Sequence, residues 1–299
     1  MINDRLKPHV HKVKGARFLV FFDVLNGDFY HYQPGNDIRE IRRDLKEAGL
    51  IFETGAVVPY KTVLNVLDRE KSLVLRKLQV RLNGHEEDNC WNRKKIGPPK
   101  KEMTARTAQE IIKNLQHLPI DGLIIEAETY DKEIIVTLAN GLQPEQLLLV
   151  LENPIDVDEM DGLKQALKTE VRLAAERNIP IREINTEAYD FFYVQSFNPC
   201  LGHQVAIDTQ GEIKPCLWWP RVLGNIYSDT VRDLIFRQSF EPYWNANKNS
   251  IKVCKDCEYR FNCHDCRLNG PNPDDNLLVK PVFCSYDPYT GKGYKETGG

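Results

Sequence analysis

The sequence contains no long hydrophobic run. No stretch approaches the roughly 18 apolar residues that a membrane-spanning helix needs, although 41% of the 299 residues are hydrophobic. The N-terminal segment MINDRLKPHVHKVKG is polar and lacks an apolar core, so we expect no secretory signal and a cytoplasmic location. This composition argues against a membrane protein and suits a chain of two or three domains.

Strong net charge and the common catalytic motifs are also missing. The formal charge of -3 gives no basic surface for nucleic acid and no attraction to an anionic membrane, so neither partner is expected. No P-loop, dinucleotide-binding fingerprint, HExxH or GxSxG motif occurs. These absences exclude the enzyme classes that are easiest to recognise from sequence.

Cysteine is scarce in the first two thirds of the chain, where Cys90 stands alone. The other cysteines are Cys200, Cys216, Cys254, Cys257, Cys263, Cys266 and Cys284. In a reducing compartment, clustered cysteines are more often metal ligands than disulfides. Their uneven distribution predicts a C-terminal module whose fold depends on sulfur ligation.

The N-terminal part predicts a small α/β module over residues 1–76. Aromatic and β-branched residues flank Asn26-Gly27, a strong hairpin signal. Residues 37–48 have the capping and apolar spacing of a helix that stops at Gly49, and residues 62–75 predict a second helix. A hairpin with two or three helices indicates a winged-helix-like module, which has either a function of its own or only the role of capping the next domain.

The middle of the chain, residues 77–195, alternates between the hydrophobic periodicity of strands and that of helices. Strands are predicted over residues 78–84, 122–128, 146–152 and 179–185, and helices over residues 104–118, 131–141 and 157–178. The segment 129–143 is equally compatible with a strand. Strands that alternate with helices of this length predict βα units and a parallel sheet. Four strands indicate a partial (βα) barrel or a small open sheet.

Residues 196–299 have weak periodicity and contain two groups of cysteines. Cys200 and Cys216 bracket a predicted hairpin with its turn near residues 208–211, which brings two distant thiols to its open end. The second group is Cys254-x2-Cys257-x5-Cys263-x2-Cys266, followed by Cys284. A Cys-x2-Cys turn lets two thiolates approach one metal while backbone amides point at the sulfurs.

The spacing alone is compatible with two kinds of metal. A single zinc on residues 254–266 would leave three cysteines without a role, and two zinc sites would need an eighth ligand such as His203 or His264. Iron–sulfur clusters also take four cysteines, and the last cysteine of a run can serve a second cluster. Zinc and iron–sulfur both remain open at this point.

The full pattern resembles the seven-cysteine SPASM domain of radical SAM peptide maturases. The resemblance is carried by Cys200-x10-Gly211-x4-Cys216, by the run from Cys254 to Cys266, and by Cys284, and it covers about the last hundred residues. The chain departs from the family where His264 and Asp265 stand in place of three residues. The family pattern therefore does not fix the direction of Cys266, the last ligand of the run.

The resemblance implies two auxiliary [4Fe–4S] clusters. Cys254, Cys257, Cys263 and Cys284 would hold one cluster. Cys200, Cys216 and Cys266 would hold the other, whose fourth ligand would be a substrate group, a water, His203 or Cys90.

The resemblance also implies that the middle domain is a degenerate radical SAM scaffold. Active relatives carry Cys-x3-Cys-x2-Cys after the first strand, whereas HEEDNCWNRKKIGPPKK here contains only Cys90. No SAM binding or cleavage is therefore expected. The expected fold is α/β: a winged-helix-like peptide-recognition module, a degenerate partial radical SAM (βα) barrel and a C-terminal SPASM domain.

Together these parts resemble the SPASM-only maturases encoded beside an ATP-grasp ligase and a short precursor peptide. The implied function is assistance in maturing a ribosomally synthesised peptide, with the precursor bound by the N-terminal module. Bond formation would fall to a partner, an ATP-grasp ligase or a radical SAM enzyme. The alternative is a zinc-stabilised winged-helix-type protein that binds protein or nucleic acid.

Overall fold

The structure of the protein is a computed structural model. It describes residues 6–7, 9–33, 35–52, 75–87, 95–100, 102–153, 155–167, 170–174, 183–184, 188–264, 266–268, 273–281 and 284–293. All but the last residue of the predicted second helix (62–75) lie outside these residues. Cys90 lies outside them as well.

The elements follow one another in chain order. They are β1 (Val10–Lys14), β2 (Leu19–Asp23), β3 (Asp28–Tyr32), α1 (Ile38–Glu47), β4 (Leu75–Arg81), β5 (Gly84–Glu87), β6 (Lys95–Lys100), α2 (Ala105–Leu115), β7 (Ile120–Ala127), α3 (Lys132–Leu142), β8 (Gln146–Leu151), α4 (Val157–Ala166), β9 (Glu170–Ala174), β10 (Glu183–Ile184), α5 (Ala188–Ser196), β11 (Gln204–Ile207), β12 (Glu212–Lys214), β13 (Gly224–Asn225), α6 (Val231–Phe236), α7 (Glu241–Trp244) and β14 (Cys263–His264). A 3-10 turn, Cys254–Asp256, lies between α7 and β14.

The N-terminal elements form a three-stranded antiparallel sheet in the order β1-β2-β3, packed on α1. The hairpin predicted at Asn26-Gly27 is confirmed, and Gly27 has a positive φ of 76°, which glycine adopts without steric cost. Helix α1 is confirmed as well, because the Asp37 side chain caps it by accepting from the Arg39 amide. Phe21 and Leu45 are fully buried between sheet and helix.

The central sheet has the strand order β13-β12-β11-β4-β7-β8-β9. Strands β4, β7, β8 and β9 are parallel, as the alternating pattern predicts. Strand β11 also runs parallel to β4, so the hairpin β11–β12 extends the sheet on its other side. The helices predicted over 104–118 and 131–141 are confirmed as α2 and α3.

The fourth parallel strand lies earlier than predicted. The helix expected over residues 157–178 ends at Ala166, and Leu167 is already extended at φ -113° and ψ 141°. Strand β9 follows and pairs with β8, with Leu148 opposite Arg172. The prediction was wrong because KQALKTEVRLAAE is rich in strong helix formers, and pairing with the sheet overrides that weak local preference.

Of the strand predicted over 179–185, only Glu183 and Ile184 are among the described residues; they form β10, which is not part of the central sheet. It pairs with β14, so that Ile184 lies opposite Cys263. The tail of the middle domain is therefore tied to the cysteine-rich run.

The two faces of the central sheet differ in polarity. One face contributes Leu78, Leu123 and Leu149 to the apolar core shared with α2 and α3. The other carries Gln79, Arg81 and Glu126, all at most 5% exposed. Arg81 forms an ion pair with Glu126 at 4.0 Å. Because buried polar groups need partners, this face needs a polar cover, and the segment after Cys216 contributes to it.

Among the residues that the structure describes, no helix is long and apolar enough to cross a membrane.

Candidate metal centre

The first pair of thiols in the run 254–266 is built by a tight backbone turn. Cys254 begins the 3-10 turn, and the Cys257 amide donates to the Cys254 carbonyl at 3.0 Å. Val253, which precedes the turn, has a positive φ of 73°. A branched residue rarely adopts this conformation, so the surrounding contacts hold the turn in place.

We call Cys254, Cys257, Cys263 and Cys284, the four thiols that the resemblance assigns to one cluster, the second group. Cys254 interacts electrostatically with Cys263 and Cys284, and Cys257 interacts with Cys254 and Cys263. Pairing of β14 with β10 fixes the backbone at Cys263. All seven cysteines that the structure describes are free thiols.

Cys200 lies in a turn held by the buried side chain of Asn198. The amide oxygen of Asn198 accepts from the Cys200 and Leu201 amides at 2.9 and 2.8 Å, and its nitrogen donates to the Ala246 carbonyl at 2.8 Å. The ammonium of Lys77 donates to the Cys200 carbonyl at 3.0 Å. Thus the turn is tied both to the central sheet and to the segment after α7.

Gly202 lets this turn approach α5 closely. A Cβ atom at that position would lie 2.6 Å from the Asn198 carbonyl oxygen and would collide with the Tyr193 hydroxyl. Only glycine fits without a shift of the backbone.

Cys216 is 4% exposed and follows strand β12. The hairpin predicted from the spacing of Cys200 and Cys216 is confirmed: Ala206 lies opposite Lys214, and Gly211 in the turn has a φ of 78°. Beyond Cys216, the Leu217 amide donates to Gln79 Oε1 at 3.3 Å. Both ends of the hairpin therefore contact the polar face of the central sheet.

Arg267 interacts with cysteines from both of the predicted clusters. It is fully buried, and it interacts electrostatically with Cys254 and Cys263 of the second group as well as with Cys200 and Cys266. Burial lowers the pKa of Arg267, while these four cysteines act in the opposite direction. We call Cys200, Cys216 and Cys266 the first group.

Lys248 is a second buried cation beside the thiols. It is 1% exposed and interacts electrostatically with Cys254. Burial raises the pKa of Cys254, which Lys248 and Arg267 oppose, and burial likewise raises the pKa of Cys257. Buried thiols prefer the neutral form, so ionising them requires metal bonds or nearby cations.

The N-terminal module packs directly on the cysteine-rich run. The Ala16 amide donates to the Asp256 carbonyl at 2.7 Å, and the Arg260 guanidinium donates to the carbonyls of Lys14 and Cys257, both at 2.9 Å. A Cβ atom on Gly15 would lie 2.8 Å from the Glu258 nitrogen. The loop after β1 and the segment 256–260 are therefore closely packed.

Arg267, Lys248 and Glu258 were not predicted from the sequence as parts of the site. Glu258 is fully buried, accepts a hydrogen bond from the Tyr286 hydroxyl and has a pKa raised by burial. The available signal was position: Arg267 directly follows Cys266, and Glu258 directly follows Cys257.

His203, one candidate for a fourth ligand, already has a partner. Its Nδ1 shares a hydrogen bond of 3.0 Å with the Tyr193 hydroxyl, and its ring lies against Phe197 and Trp244. Burial, with a smaller contribution from Arg76, lowers its pKa to about 4. A neutral imidazole can ligate a metal, but in this arrangement one nitrogen is engaged elsewhere.

Within the described part of the chain, no three His, Cys, Asp or Glu side chains are arranged to hold one metal ion. His264 lies in β14 beside Cys263, whereas Asp265 and Cys90 fall outside the described residues. The ligand sets named above for two clusters therefore remain predictions.

Residues 200–258 match the SPASM family, described as an iron-sulfur cluster-binding domain. The match spans Cys200, Cys216, Cys254 and Cys257. The chain thus contains a region of the SPASM type, and an iron–sulfur-binding role for it agrees with the gathered thiols. No curated protein sequence matches the chain significantly.

Solved structures resemble the chain only distantly. SeMet BtrN in an open conformation has 12% identity and a TM-score of 0.39, covering 62% of this chain and 92% of that one. BtrN in complex with AdoMet and 2-DOIA has 11% identity and a TM-score of 0.42, covering 65% and 94%. Streptococcus suis SuiB bound to S-adenosylmethionine has 10% identity and a TM-score of 0.33, covering 91% and 99%. Scores this low carry no conclusion about fold or activity.

Proposed function

We propose that the chain is an iron–sulfur SPASM protein that assists the maturation of a ribosomally synthesised peptide. The observation that carries the iron–sulfur part is the gathering of Cys200, Cys254, Cys263 and Cys266 around the buried Arg267, inside and just beyond the matched region. Thiolate ligands and buried cations are the surroundings that an anionic cluster requires.

The proposed protein holds two [4Fe–4S] clusters. Cys254, Cys257, Cys263 and Cys284 ligate one, and Cys200, Cys216 and Cys266 ligate three irons of the other. Bound clusters supply one-electron transfer or cross-link the chain. Asn198 and Lys77 hold the backbone at Cys200, and the turn at Cys254 holds the first two ligands of the other cluster.

The N-terminal module binds the precursor peptide in this proposal. Within the described residues, β3 pairs with β2 on one side only, and an exposed strand edge can accept a peptide as an additional strand. The same module contacts residues 256–260. A leader peptide on β3 would thus keep the remainder of the precursor close to the cysteine-rich region.

Bond formation belongs to a partner enzyme, an ATP-grasp ligase or a radical SAM enzyme. The chain performs no SAM cleavage of its own, because the segment after β4 contains one cysteine where three ligands are required.

Metal analysis of anaerobically purified protein tests the iron–sulfur part. We expect a brown protein with about eight irons and eight sulfides per chain. A colourless protein with zinc and no iron would replace this proposal with the zinc-stabilised alternative.

A titration with the precursor peptide encoded beside the gene tests the peptide part. Neighbouring residues of a strand direct their amides to opposite edges, so only one of Tyr30→Pro and His31→Pro removes an amide from the open edge of β3. We expect the proline variant that removes an amide from the open edge to bind the precursor peptide more weakly while retaining its iron. Equal, unchanged affinity in both variants, or no binding by the unmodified chain, would refute leader recognition by β3.

A further inference from the structure

We propose that Arg267 is a counter-charge shared by both cysteine groups, which makes the electron affinity of each cluster depend on the same side chain. This inference deepens the proposed function and rests on the iron–sulfur part of it. Nothing in the seven-cysteine pattern requires an arginine at this position.

The position of Arg267 in the chain and its hydrogen bonds join the two groups. It directly follows Cys266 of the first group. Its guanidinium donates to the carbonyls of Asn276, Leu277 and Val279, in the segment that leads to Cys284 of the second group. Arg267 therefore links the backbone beside Cys266, in the first group, to the segment that precedes Cys284, in the second group.

The burial of Arg267 makes its charge effective. The side chain is fully buried, and an unscreened charge acts more strongly than a surface charge. Arg267 interacts electrostatically with Cys200 and Cys266 of the first group and with Cys254 and Cys263 of the second. A cation held at this place stabilises the negative charge of either ligated cluster, and stabilises it further when an electron is added.

Lys248 offers an internal comparison, because it interacts electrostatically with Cys254 of the second group. It is buried to the same degree, at 1% exposure. If each cation acts on the cysteines beside it, then neutralising Arg267 affects both clusters, and neutralising Lys248 affects the cluster of the second group.

The test is a redox titration of the full-length, iron-loaded chain, followed by electron paramagnetic resonance. The variants are Arg267→Gln, Arg267→Lys and Lys248→Gln. Arg221→Gln is the matched control, because its side chain is 63% exposed and pairs with Asp274. Removing one group at a time, with Cys216→Ala or Cys257→Ala, assigns each signal to its cluster.

We expect Arg267→Gln to lower the ratio of reduced to oxidised cluster about tenfold at a fixed potential for both clusters, equivalent to about 59 mV for a one-electron couple. Arg267→Lys should recover most of that ratio, Lys248→Gln should change the second group, and Arg221→Gln should change neither. Unchanged ratios in Arg267→Gln, or a change confined to one cluster, would overturn the inference.

If Arg267→Gln does not load iron, the iron content itself becomes the readout. A shared counter-charge predicts that Gln loses iron from both groups while Lys retains both. Equal loss in the Gln and Lys variants, or loss from one group only, would contradict it. Absence of iron from the unmodified chain would instead refute the proposed function.

Discussion

The N-terminal sheet module and the cysteine-rich region achieve stability by different means. In the module, β1 to β3 and α1 enclose an ordinary apolar core that includes Phe21 and Leu45. The cysteine-rich region adds apolar side chains such as Trp219 and Phe240 to the central core, but its helices α6 and α7 have only six and four residues. Fully buried groups there include the charged side chains of Arg267 and Glu258.

The difference shows where metal is needed for folding. Apolar burial stabilises the N-terminal module without any ligand. Burying Arg267 and Glu258 is unfavourable unless opposite charges or hydrogen bonds compensate, and ionised thiolates around a metal supply that compensation for Arg267. We therefore expect metal to be a structural requirement of one region and not of the other.

Removal of metal should produce the largest difference between the two regions. After chelation under reducing conditions, hydrogen exchange should become fast across residues 254–266, because the charge that balances Arg267 is lost. Amides of β2 and α1 should keep their protection. Equal loss of protection in both regions would show that the module depends on the metal as well.

Truncation of the apolar core should affect the module alone. Leu45→Ala removes a fully buried side chain and should lower the free energy of unfolding of the module by about 2–5 kcal/mol. Ile38→Ala in the same helix is the control, because Ile38 is 57% exposed. Thermal unfolding with parallel iron analysis tests this, and iron loss in Leu45→Ala beyond that of the control would argue against two separately stabilised regions.

Asn198→Ala should weaken the cysteine-rich region without removing a ligand. The change leaves the Cys200 and Leu201 amides without their acceptor, which should cost about 1–3 kcal/mol. Asn249→Ala, at an exposed site, serves as the control. Chemical denaturation of the iron-loaded variants measures the difference, and identical midpoints would mean that the ligated metal alone holds the turn.

Acid should slightly destabilise the contact between the N-terminal module and helix α5 of the middle domain. Burial, and to a smaller extent His9, lowers the pKa of His11 to about 4. Its ring lies against Phe191 and Phe192. Because the folded-state pKa is below the unfolded value of about 6.5, the unfolded chain binds more protons between these values, and stability falls as the pH drops from about 6.5 to about 4.

His11→Phe should remove about 1–2 kcal/mol of that pH dependence, after allowance for partial exposure. Unfolding measured at several pH values checks this. A dependence as steep in His11→Phe as in the unmodified chain would assign the effect to other groups.

Local patterns predicted the elements whose stability is local. The Asn26-Gly27 hairpin, helix α1 and the hairpin between Cys200 and Cys216 follow from turn residues, caps and spacing that lie within a few positions of one another. Strand β9 was missed because its residues favour a helix, and only the neighbouring strand β8 makes them extended. Arg267 was missed for a related reason, since its neighbours Cys200 and Cys254 are distant in sequence.

The division of the cysteines into two groups is tested most directly by the iron content of single and double variants. Cys254→Ala and Cys266→Ala should each lower the iron of anaerobically reconstituted protein by about half, and the double variant should retain almost none. This outcome would place Cys254 and Cys266 on different clusters. If either single variant removed all the iron, or if the double variant lost no more than each single one, the cysteines would form one site and the account would be wrong.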